Sequence, residues 1–336
     1  MEKPIYATLS SIGAYIPSKV VTNDDLSKIV ETNDEWITKR TGIKERRFAA
    51  ENEATSDLAT NAAKVAIERA KIDIDKIDAV IVATISPDFL CMPSTACVVA
   101  NNLGIINKPA FDIAAACSGF IYLLSLAKAL IESKTYRNIL IIGAEKLSSI
   151  LDMQDRSTCV LFGDGAGAAI ISATEDKNLS ILDVQCASNG QYQDLLMTPG
   201  CGSRNPANIE VINERLQFMK MKGNEVFKIA VKTLTKDVIE ILKKNHLSKD
   251  EIDFFIPHQA NFRIISAVGE TLGFSSEKVA LTVQKYGNTS AASIPMAIND
   301  LYESGKIKQG SRLLLDAFGG GLTWGSAILT FNGKSV

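Results

Sequence analysis

The chain has 336 residues, 46% of them hydrophobic and 22% charged, with a formal net charge of −2. That length can bury one large core or two fused halves, and the balanced charge gives no overall attraction to nucleic acid or to an anionic membrane surface. The longest apolar runs, Ala79 to Thr84 and Ile139 to Ala144, are far too short to span a bilayer, and Met1-Glu2-Lys3-Pro4 opens no signal peptide, so a cytoplasmic location is expected.

Ala7 to Tyr15 reads as a strand and Thr22 to Ile29 as a capped helix. A short helix around Asn33-Asp34-Glu35-Trp36-Ile37 follows, then the basic run Lys39-Arg40-Thr41-Gly42-Ile43-Lys44-Glu45-Arg46-Arg47. Trp36 and Arg40 are four residues apart on one helix face. An indole beside a guanidinium suits a flat ring next to a phosphate, and equally suits a rim tryptophan with a salt-bridged arginine.

Helix Ser56 to Ala70 leads to the strand Ala79 to Thr84, a helix from about Ser94 to Leu103, and the strand end Phe111 to Ile113. There Ala114-Ala115-Ala116-Cys117-Ser118-Gly119 opens a strongly apolar helix. A cysteine in that first turn faces unpaired backbone N–H groups and the positive end of the helix dipole, which predicts a thiolate nucleophile at neutral pH. A small packing cysteine is the alternative. The strand Asn138 to Ala144 comes next, then a polar loop with Asp155-Arg156-Ser157. Phe162-Gly163-Asp164-Gly165-Ala166-Gly167 runs into an apolar β segment rather than a helix, which excludes a dinucleotide-binding loop.

The second half repeats the first. Leu247 to Pro257 echoes Ile72 to Val82, helix Ser290 to Glu303 echoes the Cys117 helix, Arg312 to Asp316 echoes Asn138 to Ile142, and Phe318 to Leu329 echoes the Phe162 segment. Aligning the serines that end the two helices places Asn288 opposite Cys117. A pseudo-twofold would bring both helix N-termini to one central site. Between Cys186 and Lys222 no counterpart exists, and Gly190, Pro199-Gly200, Gly202 and Pro206 mark a loop excursion suited to covering a pocket.

Of two histidines, His246 sits at a polar helix end, whereas His258 follows Phe254-Phe255-Ile256-Pro257 at a strand's carboxyl end, where open α/β sheets place functional groups. The six cysteines (Cys91, Cys97, Cys117, Cys159, Cys186, Cys201) lack the spacing of a disulfide framework or a zinc site, and no metal is expected. Cys117, His258 and Asn288 then fit two mechanisms. In a papain-like one His258 deprotonates Cys117 and Asn288 orients the imidazole. In a thioester-condensing one Cys117 takes an acyl group, and His258 and Asn288 donate to the carbonyl oxygen of a second, decarboxylating thioester. The duplicated α/β pattern favours the second, and a backbone N–H from Gly319-Gly320-Gly321 could complete an oxyanion hole with that of Cys117.

Ala116-Cys117-Ser118-Gly119-Phe120, Pro257-His258-Gln259-Ala260-Asn261, Tyr286-Gly287-Asn288-Thr289-Ser290 and Phe318-Gly319-Gly320-Gly321 occur in this order. Together with Asn33 to Ile43 and Phe162 to Gly167 they make the whole chain resemble β-ketoacyl-acyl-carrier-protein synthase III, the initiating condensing enzyme of bacterial fatty acid synthesis. The resemblance implies an α/β thiolase-like fold, two duplicated βαβαβαββ halves (residues 1–175 and 176–336) in a layered αβαβα arrangement, and a homodimer. It implies Cys117 as the acylated nucleophile, His258 and Asn288 as the decarboxylation pair, and Gly320 with Cys117 as oxyanion donors. Thr32, Trp36, Arg40, Arg156, Gly223, Phe227 and Asn261 fall where that family grips coenzyme A, and Lys228 and Arg263 where it docks the acidic acyl carrier protein. Met92 falls where many members place a phenylalanine that closes the primer pocket across the dimer interface; simple packing in that interface is its other reading. Acyl-CoA and malonyl carrier would be substrates, with no separate cofactor. Elongating synthases carry a second histidine where Asn288 stands, and degradative thiolases a late cysteine that this chain lacks. A secondary-metabolite acyltransferase or a non-catalytic acyl-CoA-binding protein are the remaining alternatives.

Overall fold

A computed structural model describes residues 3–333. Its first sheet is built from β1 (Tyr6–Tyr15), β2 (Ala79–Ala83), β3 (Ala110–Ile113), β4 (Asn138–Glu145) and β5 (Gly165–Thr174), in the order β1-β5-β4-β2-β3. The second is built from β6 (Ile181–Ser188), β7 (Phe254–Pro257), β8 (Arg312–Gly319) and β9 (Thr323–Thr330), in the order β6-β9-β8-β7. Strand directions match as well. β2 is parallel to β4 and to β3, and β7 to β8, while β4/β5, β5/β1, β8/β9 and β9/β6 are antiparallel. The counterpart of β3 is reduced to a single parallel bridge between Phe255 and Val279. The duplicated pattern of the sequence is therefore a duplicated topology.

Each half contributes an inner helix, α4 (Gly119–Glu132) and α7 (Ser293–Glu303), packed between the sheets. Both read as apolar nearly all round, the pattern of a helix with sheet on two sides. Central strands such as Ala79-Val80-Ile81-Val82-Ala83 are buried along their whole length, because each face meets a helix layer. The outer layers are α2 (Thr55–Ala70) and α3 (Thr95–Leu103) on the first sheet, and α5 (Gly223–Lys244) and α6 (Phe262–Leu272) on the second. Three apolar clusters, one between the sheets and one under each outer pair, fill the gaps of a five-layered αβαβα sandwich.

Ahead of each inner helix the chain makes a one-turn 3₁₀ segment, Ala116–Ser118 and Ser290–Ala292, whose first residue is left-handed (φ 45° and 48°). These turns set the true correspondence between halves. Cys117 matches Ala291, not Asn288, which lies three residues earlier. The expected pairing fails because α4 has 14 residues and α7 has 11, so aligning their C-terminal serines displaces the N-termini by about one turn.

Glycines let these turns meet. A Cβ on Gly143 of β4 would stand 2.2 Å from the Ala291 carbonyl oxygen, and one on Gly319 at the end of β8 would stand 2.6 Å from the Cys117 nitrogen. Gly143→Ala should therefore force the α7 turn off β4 and lower stability by about 3 kcal/mol, read by denaturant unfolding; a loss under half a kcal/mol would show that the contact yields freely.

Candidate functional site

Cys117 lies at the C-terminal side of β3, at the mouth of α4, and is only 5% exposed. His258 follows β7, its N–H donating to the Asp316 carbonyl at 2.7 Å. Its imidazole Nδ1 is 2.6 Å from Ser293 Oγ in the first turn of α7. The next side chain, Gln259, is fully occupied: its amide donates to Pro257 and Ala280 carbonyls and accepts from the Thr282 and Val283 N–H groups, tying this strand end to the segment before Asn288. Asn288 is pinned to Phe162 by a parallel bridge, with Gly163 N–H donating to its carbonyl at 3.0 Å and its own N–H donating to Leu161 at 2.8 Å. That approach needs Gly163, where a Cβ would stand 2.4 Å from the Tyr286 carbonyl oxygen. The Phe162 to Gly167 motif thus serves backbone packing and not phosphate binding. Asn288 Oδ1 accepts from the Ser290 N–H at 2.9 Å, which leaves the amide NH2 as the group turned to the cavity.

Cys117, His258 and Asn288 line one cavity of about 290 Å³. Trp36, Arg40, Arg156, Gly223, Phe227, Asn261 and Arg263 line it too, so most of the expected binding residues share the space of the expected nucleophile. Trp36, on α1 (Asp34–Thr41), has the Arg40 and Arg156 guanidiniums 4.4 and 4.7 Å from its ring centre. Asn261 caps α6 and donates to the Arg40 carbonyl at 3.2 Å, and Arg263 lies 5.3 Å from the Phe227 ring centre. The excursion after Cys186 contributes Leu196 and Met221 to the cavity wall.

A second, smaller chamber of about 160 Å³ opens on the other side of Cys117, lined by Ile85, Phe162, Leu196, Met197, Met219 and Ser290 with Gly320. Apart from Phe162, its apolar side chains did not stand out in the sequence, since they come from separate segments with no local pattern. The remaining expected residues lie elsewhere. Thr32 sits just before α1 with its hydroxyl buried and unpartnered, outside the cavity wall. Lys228 lies on the exposed face of α5 in a neighbouring groove with Lys232. Met92 is 79% exposed on a loop and reaches neither chamber of its own chain. His246 is exposed at the end of α5, away from the site.

Burial changes the electrostatics expected for this centre. It pushes the Cys117 thiol up to about 12, with nearby Glu145 adding to the rise and Ser290 opposing it. Removing the sulfur from water thus opposes the thiolate that the helix N-terminus favours. Burial likewise takes the His258 imidazole down to about 3, so it is neutral at physiological pH. Glu145, at the end of β4, is wholly buried and was missed in the sequence, where it reads as the tail of an apolar strand. Its Oε2 accepts from Ser86 Oγ (2.6 Å), Thr84 Oγ1 (3.0 Å) and the Ile85 N–H (3.1 Å), while Oε1 has no hydrogen-bond partner. Desolvation raises this carboxyl to about 7.

Comparison with known proteins decides the family. A family model for the 3-oxoacyl-[acyl-carrier-protein (ACP)] synthase III C terminal matches residues 242–331, and one for 3-oxoacyl-[acyl-carrier-protein (ACP)] synthase III matches residues 111–190. The β-ketoacyl-[acyl-carrier-protein] synthase III of Aliarcobacter butzleri is 62% identical over 327 residues, 97% of this chain and 98% of that protein. The chain belongs to the β-ketoacyl-[acyl-carrier-protein] synthase III family. The synthase III of Campylobacter fetus is 63% identical over 98% of this chain and 99% of its own. The crystal structure of the Aquifex aeolicus synthase III superposes with a TM-score of 0.90 at 46% identity, covering 97% of this chain and all of that one. Family membership and the thiolase-like fold expected from the motifs are thus established.

A neutral His258 makes a direct prediction. Its ring resonances should stay unshifted between pH 5 and 8 in a carbon-edited NMR titration; an inflection in that range assigned by His258→Ala would show that the imidazole is solvated and protonates.

Proposed function

We propose that the protein catalyses the decarboxylative condensation of an acyl-CoA primer with malonyl-acyl carrier protein, releasing CoA and carbon dioxide and forming a 3-ketoacyl carrier. The observation that carries this reading is the convergence of Cys117, His258 and Asn288 on one cavity whose outer part bears Trp36, Arg40 and Arg156. A papain-like base role for His258 is disfavoured, because Asn288 is held by Ser290 and Nδ1 of the imidazole faces Ser293, so the asparagine does not orient the ring.

Cys117 Sγ attacks the primer thioester, and the oxyanion is met by the backbone N–H groups of Cys117 and Gly320, which flank the small chamber. That chamber, equal to about five waters at roughly 30 Å³ each, suits a short acyl group in an apolar wall. CoA then leaves along the larger cavity, where the indole and guanidiniums suit an adenine and its phosphates, and the Gly223, Phe227 and Asn261 stretch suits the pantetheine arm. Malonyl carrier enters by the same route, and Arg263 with Lys228 supplies positive charge at the rim for an acidic partner. With the Ser293 hydroxyl donating to Nδ1, the neutral imidazole carries its proton on Nε2. His258 Nε2–H and Asn288 Nδ2–H then both donate to the malonyl thioester oxygen. As carbon dioxide leaves, they stabilise the enolate, whose carbon attacks the acyl group on Cys117. A neutral donor is the right partner here, because it holds the enolate without quenching it by proton transfer.

The working unit we infer is a homodimer. β3 is the edge of its sheet, Phe111 on it is exposed, and the nearby loop displays Phe89, Leu90 and Met92. Pairing two β3 edges would cover this surface and offer Met92 to the partner's acyl chamber. The free cysteines suit a reducing cytoplasm.

Cys117→Ser should leave no acyl-enzyme after incubation with acetyl-CoA, as read by intact mass; an adduct at another residue would refute the nucleophile. Asn288→Ala should slow malonyl decarboxylation by about a hundredfold while changing self-acylation less than threefold, a split expected when one donor serves only the second step. Equal losses would mean that Asn288 positions Cys117 instead.

A further inference from the structure

Burial favours the protonated form of the Cys117 thiol, yet the reaction consumes a thiolate, and the neutral His258 is committed to Ser293. Something else must take the proton. Two buried polar atoms near the sulfur have no hydrogen-bond partner: Ser290 Oγ and Glu145 Oε1. Ser290 lines the small chamber with Cys117, and its hydroxyl opposes the rise that burial imposes on both the thiol and the Glu145 carboxyl. Reactive hydrogen bonds are often long before substrate binds. The placement follows from the duplication. β4 packs on the Ser290 turn through Gly143, two residues before Glu145, so the carboxyl at its end comes beneath the pair of turns that present Cys117 and Ser290.

We propose that Ser290 and Glu145 form a proton relay for Cys117: Ser290 Oγ accepts the thiol proton as Sγ attacks the primer, and its own proton passes to Glu145 Oε1. This rests on the condensing function above. In acylation the Sγ–C bond forms and the CoA thioester C–S bond breaks, with CoA leaving as a thiolate that takes a proton from water. In condensation the new C–C bond forms, the Sγ–C bond breaks, and the departing sulfur recovers its proton from Glu145 through Ser290. The malonyl carboxylate leaves as carbon dioxide, so one solvent proton is consumed per turnover and Glu145 ends as it began. A carboxyl that titrates near neutrality is matched to this task, because it can accept and return a proton at the same pH.

The surroundings keep the relay private. Thr84, Ile85 and Ser86 at the end of β2 hold the other carboxylate oxygen. Lys146, the next residue, turns its Nζ to the Ala50 and Glu51 carbonyls at 3.1 and 3.4 Å. Cys117, from the turn before α4, is a titratable group on which the Glu145 charge acts, raising the thiol. Glu145 works through Ser290 and touches no substrate, so its test must separate proton transfer from support.

The test is the single-turnover rate of Cys117 acetylation by acetyl-CoA between pH 5.5 and 9, followed by quench and mass spectrometry, in the native protein, Glu145→Gln and Ser290→Ala. Glutamine keeps an oxygen for Ser86 and Thr84. Alanine suits the Ser290 backbone, because Ala116 adopts the same left-handed φ in the other half. The native rate should rise to a plateau with an inflection near pH 7; Glu145→Gln should lose that inflection and fall by roughly a hundredfold. Ser290→Ala should do the same, and decides the matter alone if Glu145→Gln does not fold. A Glu145→Gln or Ser290→Ala protein that acetylates at the native rate with the native pH profile overturns the relay while leaving Cys117 as nucleophile. A native protein that forms no Cys117 adduct overturns the condensing function and the relay with it.

Discussion

Everything in this molecule depends on two left-handed turns closing against each other between the sheets. Ala116 and Ser290 each turn the chain into an inner helix, and the turns meet through positions where a side chain would collide: Gly119 against Ala291, Gly143 against the Ala291 carbonyl, Gly319 against the Cys117 backbone. Positive φ at a residue with a Cβ is unfavourable, and it persists where surrounding packing overdetermines it. Here the surroundings are three closely spaced layers, and the result is that groups from both halves share one small volume.

That closeness sets the chemistry through desolvation. The same burial that raises the thiol lowers the imidazole and brings the Glu145 carboxyl to neutrality. Burial thereby favours neutral forms of the thiol and the imidazole, and leaves Glu145 able to take up or release a proton near neutral pH. Such a centre is strongest when charge develops during reaction, since hydrogen bonds to an enolate or oxyanion in a dry site are worth far more than in water. The helix N-terminus behind Cys117 still favours negative charge on sulfur, but it acts on the transition state and not on the free thiol.

The duplication, the order of strands and helices, and the convergence of Cys117, His258 and Asn288 were legible in the sequence because they rest on local signals. Apolar runs mark strands, the apolar run after Cys117 marks a buried helix, and a histidine after Phe254-Phe255-Ile256-Pro257 stands at a strand end, while the layering was given only by the resemblance of the motifs. The register of the two halves was misread by three residues, because inner helices of unequal length share similar ends. The opposing effect of burial on the Cys117 thiol was not legible, because local reasoning sees the helix dipole and not the layers that exclude water. Glu145 and the roles of Ser290 and Phe162 in the acyl chamber were not legible for a related cause: each is defined by neighbours from distant segments, and Glu145 differs from any strand-end acid only in what covers it.

A sulfur from one half and a neutral imidazole and amide from the other act together on one substrate. A crystal structure of the Cys117-acylated protein with a non-decarboxylating malonyl thioester analogue should place the analogue's thioester oxygen at roughly 3 Å from both His258 Nε2 and Asn288 Nδ2, with its α-carbon facing the acyl carbon. An oxygen held by neither group, or by His258 with Asn288 turned away, would mean that the two halves do not act on the same atom.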